Sequence, residues 1–475
     1  MPKILMVASE ATPLAKTGGL AEVVGSLAVA LGAQGCEAAI VLPRYRTIPL
    51  DGAKRVWDWL PVWLGGTRFD CSIFLLEGEV PVYLVDCLPL YDRVGLYGES
   101  VGDYADNHLR FAVFARAALA IARSLYRPDI IHCHDWQAGL APVYLKKLFS
   151  SDPALVAVKT LLTIHNLVYL GLFPPASLAE IGLDGSVYHP DGVEFWGNLS
   201  FLKGGIVFAD ALNTVSPTYA REIQTPAFGV GLDGVLRSRS SVLHGILNGI
   251  DDDVWNPQTD PHIAAHYSAT DLAGKRVCKR ALLAEFGLPE AMIDRPLLGV
   301  VSRFTEQKGI DLILELAPQF AAMNVALVAL GMPGGGEEHF AAWFRQQAAL
   351  YPGHIGYRLA LDEGLAHRIE AGADMFLMPS RWEPCGLNQM YSMRYGTVPV
   401  VRAVGGLNDT VDSDTGFKFP DATATSLLGS VEEAVAAYAV EDRWLSLIEE
   451  GMARDFSWKA SAARYAALYR NLMVG

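Results

Sequence analysis

A lysine, a threonine and two glycines, Lys16-Thr17-Gly18-Gly19, follow the first apolar segment of the chain. Residues 4–8 predict a buried strand, and residues 20–31 predict a helix. A glycine loop between a strand and a helix N-terminus is a common anion site, because main-chain N–H groups and the helix dipole attract phosphate. Gly18 and Gly19 lack a Cβ, so a ligand could approach the main chain closely. A tight turn beside a solvated lysine explains the same residues equally well.

Two further cations, Arg303 and Lys308, flank a second predicted strand-to-helix loop. The predicted strand 297–302 ends just before Arg303, and a helix is expected from residue 310. Arginine offers a rigid fork of donors and lysine a mobile charge, so the pair suits a diphosphate. Two solvated surface charges are the alternative.

A third loop contains Glu383-Pro384-Cys385-Gly386-Leu387-Asn388, between a predicted strand at 375–378 and a helix. The N–H groups of Leu387 and Asn388 would face an anion at the start of that helix. Glu383 either complements the helix dipole or binds sugar hydroxyls, since a carboxylate beside a phosphate is electrostatically unfavourable. Gly405-Gly406, after the next predicted strand, repeats the glycine pattern.

Histidines end two predicted strands in the first half of the chain. His132 and His134 would lie on the same strand face, but no third ligand is nearby and we expect no metal. His165, followed by Asn166, lies at the predicted carboxyl edge of the sheet. Ligands bind at that edge in α/β proteins, which favours a substrate role for His165 over a structural one.

Apolar runs alternate with helical patterns along the chain, which predicts βαβ units around parallel sheets. The predicted strands are 3–8, 38–42, 72–76, 80–85, 130–133, 160–164, 211–215, 297–302, 325–330, 355–359, 375–378 and 398–401. The predicted helices are 20–31, 104–124, 137–149, 310–321, 338–350, 365–371, 387–395, 430–438 and 457–473. An acidic, turn-rich stretch after residue 247 separates two such series. We therefore expect an α/β protein with two Rossmann-like domains, 1–245 and 246–456, and a cleft at the carboxyl ends of their strands.

The composition excludes several classes of protein. The 475 residues are 51% hydrophobic and carry a net charge of −14, which argues against nucleic acid or an anionic membrane as partner. A few local cations can still hold a small anion. The six cysteines show no CxxC spacing, so we expect a reduced, cytoplasmic setting. We expect neither a targeting peptide nor a segment that spans a bilayer.

The chain resembles the bacterial glycogen synthases and the related plant starch synthases in several long motifs. They occur in one order from Lys3 to about Tyr469, so the resemblance covers nearly the whole chain. The motifs are KTGGLAEVVGSL, HCHDWQAGLAPVYL, TIHNLVYLG, FLKGGIVFADALNTVSPTYAREI, GILNGIDDDVWNP, SRFTEQKGIDL and PSRWEPCGLNQMYSMRYGTVPVVRAVGGLNDTV.

This resemblance implies a GT-B fold, in which two Rossmann-like domains face a deep interdomain cleft and the C-terminal helix, residues 457–475, returns to the first domain. It also implies transfer of glucose from ADP-glucose to the non-reducing end of an α-1,4-glucan, with retention of anomeric configuration. Neither a metal nor another cofactor is expected.

The resemblance assigns roles to individual residues. It implies that Arg303 and Lys308 bind the diphosphate and stabilise it as it leaves, and that Glu383 and His165 hold the glucosyl hydroxyls. The other substrate-binding positions that it implies are Lys16, Gly18, Gly19, Glu22, Tyr97, Asp135, Asn166, Cys385, Gly386, Leu387 and Asn388. Among these, Tyr97 and Asp135 are expected on the acceptor side.

Two positions depart from the patterns of related enzymes. Most relatives have Asp where this chain has Glu22, so the carboxylate reaches one methylene further. Many related retaining transferases carry a second Glu eight positions after the first, where this chain has Tyr391. Glycogen and starch synthases share the absence of that Glu, which favours them over transferases that use UDP-sugars.

Two other functions stay open at this point. One is a retaining GT-B glucosyltransferase that uses UDP-glucose or makes a small glycoside. The other is a non-catalytic sensor of sugar nucleotides, which the joint presence of Arg303, Lys308, Glu383 and His165 disfavours. A phosphorylase is disfavoured because its cofactor-lysine region is not recognisable. Whether copies of the chain form a homo-oligomer does not follow from the sequence.

Overall fold

A computed structural model describes residues 1–99, 102–332 and 338–474. The chain divides into two compact units. Unit 1 comprises Met1–Gly249 and Trp458–Gly475, and unit 2 comprises Ile250–Ser457. The first boundary thus follows Gly249 rather than residue 245.

Unit 1 is built on a nine-stranded sheet. In spatial order its strands are Leu243–Gly245, Ala211–Thr214, Lys159–Ile164, Ile130–His134, Lys3–Val7, Glu37–Pro43, Val82–Asp86, Thr67–Leu76 and Lys54–Leu64. The first seven are parallel, whereas the last two form an antiparallel hairpin at the sheet edge. The predicted parallel sheet is thus present, and the antiparallel hairpin extends it at one edge.

Helices cover both faces of this sheet. Those of unit 1 are Gly19–Ala33, Leu88–Tyr91, Asn107–Ile121, Asp135–Ala138, Leu140–Leu148, Ser177–Glu180, Phe201–Phe208, Pro217–Glu222, Asp233–Ser238 and Trp458–Val474, and a π-helical turn spans Ala122–Tyr126. Short strands at Leu172–Phe173, Glu194–Phe195 and Asn198–Ser200 form a second sheet, and Gly98–Glu99 pairs with Gly102–Asp103. Short 3-10 turns lie at Gly185–Val187 and Ser240–Val242.

The first strand shows why both faces are covered. Alternate side chains of a strand point to opposite faces. Leu5 and Val7 belong to the apolar cluster that contains Phe111 and Phe114, whereas Ile4 and Met6 belong to the one that contains the C-terminal helix. A strand buried on both faces reads as a continuous apolar run, as this one does.

Unit 2 contains a six-stranded parallel sheet, in the order Ile355–Leu359, Ala326–Met332, Leu297–Arg303, Met375–Met378, Val398–Arg402 and Phe417–Phe419. Its helices are Ala273–Glu285, Ile310–Glu315, Ala317–Ala322, Glu338–Leu350, Glu363–Gly372, Asn388–Arg394, Gly405–Thr410, Ala424–Tyr438 and Glu441–Ala453. Short 3-10 turns lie at Glu290–Asp294 and Glu306–Lys308. Its apolar core lies within this continuous segment of the chain.

Candidate active site

Three neighbouring strands of unit 1 bring predicted site residues to one edge of the sheet. Lys3–Val7 pairs with Ile130–His134, which pairs with Lys159–Ile164. The glycine loop, Asp135 and His165 each follow the carboxyl end of one of these strands. The fold therefore places them at the edge where α/β proteins bind ligands.

The glycine loop is held by Glu10, a residue that the sequence reasoning missed. Glu10 is buried, and its carboxylate accepts hydrogen bonds from the Thr17 N–H, from the Thr17 hydroxyl at 2.7 Å and from the Gly18 N–H at 3.3 Å. The Tyr97 hydroxyl donates to the same carboxylate. Glu10 follows the first strand closely, but it belongs to no spacing pattern that distinguishes it from a surface glutamate.

Two glycines leave open space in front of this loop. A Cβ on Gly18 or Gly19 would meet no other atom within 4 Å, and the helix begins at Gly19. Within the described residues the Gly19 N–H has no acceptor, unlike the N–H groups that bind Glu10. Lys16 Nζ lies 2.6 Å from Glu22 Oε1, with both side chains partly exposed. The Glu22 carboxylate thus balances the lysine charge in the structure.

Asp135 occupies an unusual backbone conformation between a strand and a short helix. Its φ is 55°, in the left-handed region that is uncommon for residues other than glycine. Its Oδ1 accepts the His165 N–H at 2.7 Å. Burial raises the pKa of the Asp135 carboxyl to about 7, although the N–H groups of His165 and Asn166 oppose the rise. The residue is therefore poised to change protonation state near neutral pH.

Three histidines form a row behind Asp135, in which His132 and His134 are buried and His165 is half-buried. The His134 Nδ1 and His165 Nε2 atoms lie 3.0 Å apart in a hydrogen bond, and the rings of His132 and His134 are 4.1 Å apart. His132 and His134 thus share a strand face, as predicted. Burial lowers the pKa of His132 and His165 to about 3 and that of His134 well below its usual value. All three rings are neutral at pH 7, so His165 can exchange hydrogen bonds with a substrate without adding charge.

The C-terminal helix closes the other end of this row. The Tyr469 hydroxyl lies 2.8 Å from His132 Nδ1, and the Thr163 hydroxyl lies 2.7 Å from His132 Nε2. Asn213 Nδ2 donates to the Tyr465 hydroxyl at 2.9 Å. Both tyrosines are buried. The hydrogen bonds of this helix therefore reach the strand that carries His134.

In unit 2, the loops 303–309 and 379–388 hydrogen-bond to each other. The Arg381 N–H donates to the Gln307 carbonyl at 2.8 Å, and Gln307 Nε2 donates to the Trp382 carbonyl at 3.2 Å. Gly309, with φ of 68°, packs so closely that a Cβ would meet the Pro379 carbonyl oxygen at 2.3 Å. The two predicted loops thus form one structural element.

Lys308 and Glu383 form an ion pair across these loops. Lys308 Nζ lies 2.5 Å from Glu383 Oε2, which also accepts the Ser380 hydroxyl at 2.9 Å. Glu383 is buried, and the Lys308 side chain is only 20% exposed. Arg303 is exposed at the end of its strand, and no carboxylate of the described residues pairs with it. The arrangement gives one fixed and one free cation at the same sheet edge.

The backbone after Glu383 leads into a helix that begins at Asn388. Cys385 is buried, Gly386 has φ of 72°, and Leu387 is the N-cap. Asn388 Nδ2 donates to the Val301 carbonyl at 3.0 Å, which ties this helix start to the strand that carries Arg303. The structure therefore brings Arg303, Lys308 and the 383–388 loop together within unit 2.

Gly405 and Gly406 serve packing rather than an open anion site. A Cβ on Gly405 would overlap the Glu383 carbonyl oxygen, and one on Gly406 would meet the Cys385 carbonyl oxygen at 2.1 Å. The Gly406 N–H donates to the Glu383 and Pro384 carbonyls, both at 3.2 Å. The suggested repeat of the anion pattern is wrong here, because this main chain supports the loop that carries Glu383.

Tyr391, the position where related transferases carry a second Glu, has a structural contact. Its ring stacks on Trp255 at 3.8 Å, and His367 stacks on the opposite face of Trp255 at 3.8 Å. His367 in turn lies 2.7 Å from Asp260. This position therefore helps to hold residues 255–260 against the rest of unit 2.

A cavity of about 310 Å³ lies elsewhere, among Lys159, Ala211, His244 and Leu468. Lys159 and Ala211 are the first residues of their strands, so this cavity lies at the opposite edge from His165. None of the predicted site residues lines this cavity. Position at the carboxyl ends of strands is the better guide to the site here.

The described part of the chain shows neither a cluster of metal-ligating side chains nor a helix that could cross a membrane. Residues 1–99, 102–332 and 338–474 contain no group of three or more His, Cys, Asp or Glu side chains that could hold a metal ion. In the same ranges, every helix is too short or too polar to cross a membrane.

Known protein families match both halves of the chain. The family described as starch synthase catalytic domain matches residues 3–238, and the family described as glycosyl transferases group 1 matches residues 290–444.

Several curated relatives match over their whole length. A glycogen synthase of Anaeromyxobacter dehalogenans strain 2CP-1 is 49% identical, with 100% of both chains covered. A glycogen synthase of Koribacter versatilis is 45% identical over 98% of this chain and 97% of the relative.

Among solved structures, the catalytic domain of starch synthase IV from Arabidopsis thaliana, bound to ADP and acarbose, superposes with a TM-score of 0.90. It is 35% identical, and both chains are covered completely. The sucrose-phosphate synthase of Thermosynechococcus elongatus is 19% identical at a TM-score of 0.63 with both chains covered, which shows a shared fold alone. The chain therefore has the GT-B fold and belongs to the glycogen and starch synthase family of retaining glycosyltransferases.

Proposed function

We propose that this enzyme transfers glucose from ADP-glucose to the non-reducing end of an α-1,4-glucan, with retention of configuration. The observation that carries the proposal is the cation pair of unit 2, in which Lys308 is fixed by Glu383 and Arg303 is exposed beside it. The related starch synthase IV, which binds ADP and acarbose, supports an adenine nucleotide as donor and a glucan as acceptor.

The cations act on the leaving group. As the bond between the glucosyl C1 and the phosphate oxygen breaks, negative charge builds on the diphosphate. Arg303 and Lys308 stabilise that charge, and Lys308 does so from a position fixed by Glu383, which is where electrostatic catalysis is most effective. The main chain at Gly19 and at Leu387-Asn388, together with Lys16 and with Gly18 and Gly386 in the same loops, completes the phosphate contacts. This mechanism requires no metal or other cofactor.

The sugar contacts come from neutral or paired groups. Glu383 and His165 hold glucosyl hydroxyls, and the neutral His165 ring does so without repelling or attracting the diphosphate. The acceptor hydroxyl forms the new bond to C1 on the face that the diphosphate leaves, and its proton passes to the departing phosphate. Tyr97, Asp135 and Asn166 line the acceptor side. Glu22 holds Lys16 before the donor arrives.

We assign unit 1 to the acceptor and unit 2 to the nucleotide sugar. The partners in this proposal are ADP-glucose and glucan, with neither nucleic acid nor a membrane, and the proposed location is the cytoplasm. Homo-oligomer formation is a separate question that size measurement in solution answers.

A panel of donors and acceptors tests the proposal. Purified enzyme is given ADP-glucose or UDP-glucose with glycogen, maltotriose or no acceptor, and nucleotide release is measured. We expect release from ADP-glucose when a glucan is present. A preference for UDP-glucose would favour the alternative transferase, and binding without transfer to any glucan would favour the sensor.

Lys308→Ala tests the leaving-group role. We expect kcat to fall about 10²- to 10³-fold, because one preorganised contact to developing charge is lost. Lys459→Ala, at an exposed position of the C-terminal helix, is the matched control. Near-normal kcat in a folded Lys308→Ala enzyme would remove the assigned role.

A further inference from the structure

The edge hairpin of unit 1 exposes a row of ring side chains that the proposed transfer site does not use. Along the strand Lys54–Leu64, Leu60, Val62 and Leu64 are buried against the core. The alternate residues Trp59, Pro61 and Trp63 face solvent, and the two indoles are 59% and 54% exposed. A contiguous exposed apolar surface, unlike a single exposed ring, often marks an interaction site.

The neighbouring strand adds two polar side chains to this surface. Pro61 lies opposite Asp70 and Trp63 lies opposite Arg68 in the antiparallel pair. Opposite residues of such a pair share a face of the sheet. We call the surface formed by Trp59, Pro61, Trp63, Arg68 and Asp70 the tryptophan face.

Contacts within the tryptophan face hold the Trp59 ring in place. Trp59 Nε1 donates to Asp70 Oδ1 at 2.7 Å, and Arg68 Nε donates to the same oxygen at 2.7 Å. The Arg68 guanidinium lies 5.0 Å from the centre of the Trp59 ring. A ring fixed before binding loses little conformational freedom when a ligand stacks on it.

The charges of the hairpin are already paired with one another. The pairs are Lys54 with Glu77 at 2.8 Å, Arg55 with Asp58 at 3.9 Å and Arg68 with Asp70 at 2.7 Å. A phosphate-bearing polymer or an anionic membrane binds where cations are in excess. Paired charges around exposed rings instead complement an uncharged ligand that has both apolar and hydroxyl surfaces.

A second copy of the chain fits this edge poorly. Proline within a sheet is confined to edge strands, at positions whose missing N–H would have faced solvent. Pro61 therefore interrupts the row of donors that strand addition from another copy requires. A ligand of this surface must therefore bind its side chains rather than its main chain.

We propose that the tryptophan face is a second glucan-binding site, separate from the transfer site. The inference rests on the proposed function for the identity of the polymer. Glucose rings present C–H faces that pack on indole, and Asp70 Oδ2, which has no partner among the described residues, accepts a glucan hydroxyl. Trp59 and Trp63 are about 13 Å apart along the strand, so they contact different glucose units of one chain.

Binding at the tryptophan face affects the KM for a polymeric acceptor but not the KM for a short one. A branched glucan held at the tryptophan face brings its other chain ends to the enzyme at high effective concentration. A trisaccharide is too short to gain from such tethering. The site should therefore lower the KM for glycogen and leave the KM for maltotriose unchanged.

The double variant Trp59→Ala/Trp63→Ala tests this in two assays. The first is migration in a native gel that contains glycogen but no ADP-glucose, where we expect the wild-type retardation to be lost. In the second, the KM for glycogen should rise about tenfold or more, while kcat and the KM for maltotriose and for ADP-glucose stay constant. Trp59→Phe/Trp63→Phe, which keeps aromatic faces, should restore most of the retardation.

Several outcomes would overturn the inference. Unchanged retardation and unchanged KM for glycogen would do so, as would equal losses with glycogen and maltotriose. A wild-type dimer that the double Ala variant converts to a monomer would assign the face to a second copy. Retardation without turnover of any donor, by contrast, would support the glucan site and contradict the proposed transferase activity.

Discussion

At the scale of single residues, two buried carboxylates hold the loops that carry the candidate cations. Glu10 accepts hydrogen bonds from the glycine loop of unit 1, and Glu383 holds Lys308 in unit 2. A carboxylate that accepts several N–H and O–H donors forms strong, charge-assisted bonds. Each loop is therefore ordered before the donor binds, which lowers the free-energy cost of binding.

Glu10→Gln tests this ordering in unit 1. The amide keeps the size of the side chain but removes its charge, and one of its ends cannot accept from the Thr17 or Gly18 N–H. We expect the KM for ADP-glucose to rise about 10- to 100-fold, from the loss of roughly 1.5–3 kcal/mol in bonds to a charged group. Initial-rate kinetics check this, with the exposed Glu37→Gln as control. An unchanged KM would show that the loop is ordered without Glu10.

Asp135 gives the folded protein a specific dependence on pH. The pKa of its carboxyl is raised from 3.8 to about 7, mainly by burial. Between those values the folded chain holds a proton that the unfolded chain has released, so this residue's contribution to stability falls as pH rises. The slope is at most about 1.4 kcal/mol per pH unit and ends above pH 7.

Urea unfolding of the wild type and of Asp135→Asn between pH 4 and 8 measures this contribution. The amide cannot titrate, so the free energy of unfolding of the wild type, relative to the variant, should decrease from pH 4 to 7 and then level off. A relative free energy that increases with pH, or does not change, would contradict the raised pKa.

At the scale of elements, the C-terminal helix is joined to two strands of unit 1 by buried hydrogen bonds. Tyr469 contacts His132, whose ring packs on His134, which contacts His165. Each of these groups is polar and at least half removed from water. Removing the partner of any one of them should therefore lower the free energy of unfolding of the protein. This helix is thus both a core element and a support for the histidine row.

Tyr469→Phe measures that support. The substitution keeps the ring but leaves His132 Nδ1 without its partner, so we expect the free energy of unfolding to fall by about 1–3 kcal/mol. The KM for ADP-glucose should remain within about twofold, because Tyr469 contacts no proposed substrate group. Denaturant unfolding and kinetics check both expectations, with the half-buried Tyr351→Phe as control. Equal stability of the two variants would show that the bond contributes nothing.

The elements also show what a sequence can predict. The sequence predicts the strands Ile355–Leu359 and Met375–Met378 with their observed bounds, because apolar runs between turn residues identify buried strands. The strand Lys54–Leu64 was missed, since its first half is charged and exposed and only its second half alternates cleanly. The helices Ala273–Glu285 and Glu441–Ala453 were missed too.

The candidate site likewise has residues that the sequence predicts and residues that it does not. Loops after strands, such as the one that carries Arg303 and Lys308, follow from pattern, because the carboxyl ends of parallel strands share an edge. Glu10 and Trp255 could not be predicted, because their roles depend on the tertiary contacts with Thr17 and Tyr391. Neither pairing lies within one helix or strand, so the periods of those elements give no signal for it in one sequence.

At the scale of the whole molecule, the two units differ in how the chain builds them. Unit 2 uses the continuous segment Ile250–Ser457, whereas unit 1 needs Trp458–Gly475 in addition to Met1–Gly249. Trp458, Tyr465 and Tyr469 are buried in the same apolar cluster as Val23 and Leu27. The C-terminal segment therefore completes a core whose other buried side chains come from residues 4–246.

Expression of separate fragments tests this division. We expect residues 250–457 to fold alone and to bind ADP, because the sheet, its helices and the cation pair all lie within the fragment. Residues 1–249 alone should lack a cooperative thermal transition, since each of the three missing aromatic side chains contributes about 1.5–3 kcal/mol of burial. Addition of a peptide of residues 458–475 should restore the transition. Circular dichroism and ADP titration calorimetry give the readouts, and cooperative unfolding of 1–249 with no gain from the peptide would show that unit 1 does not depend on its last helix.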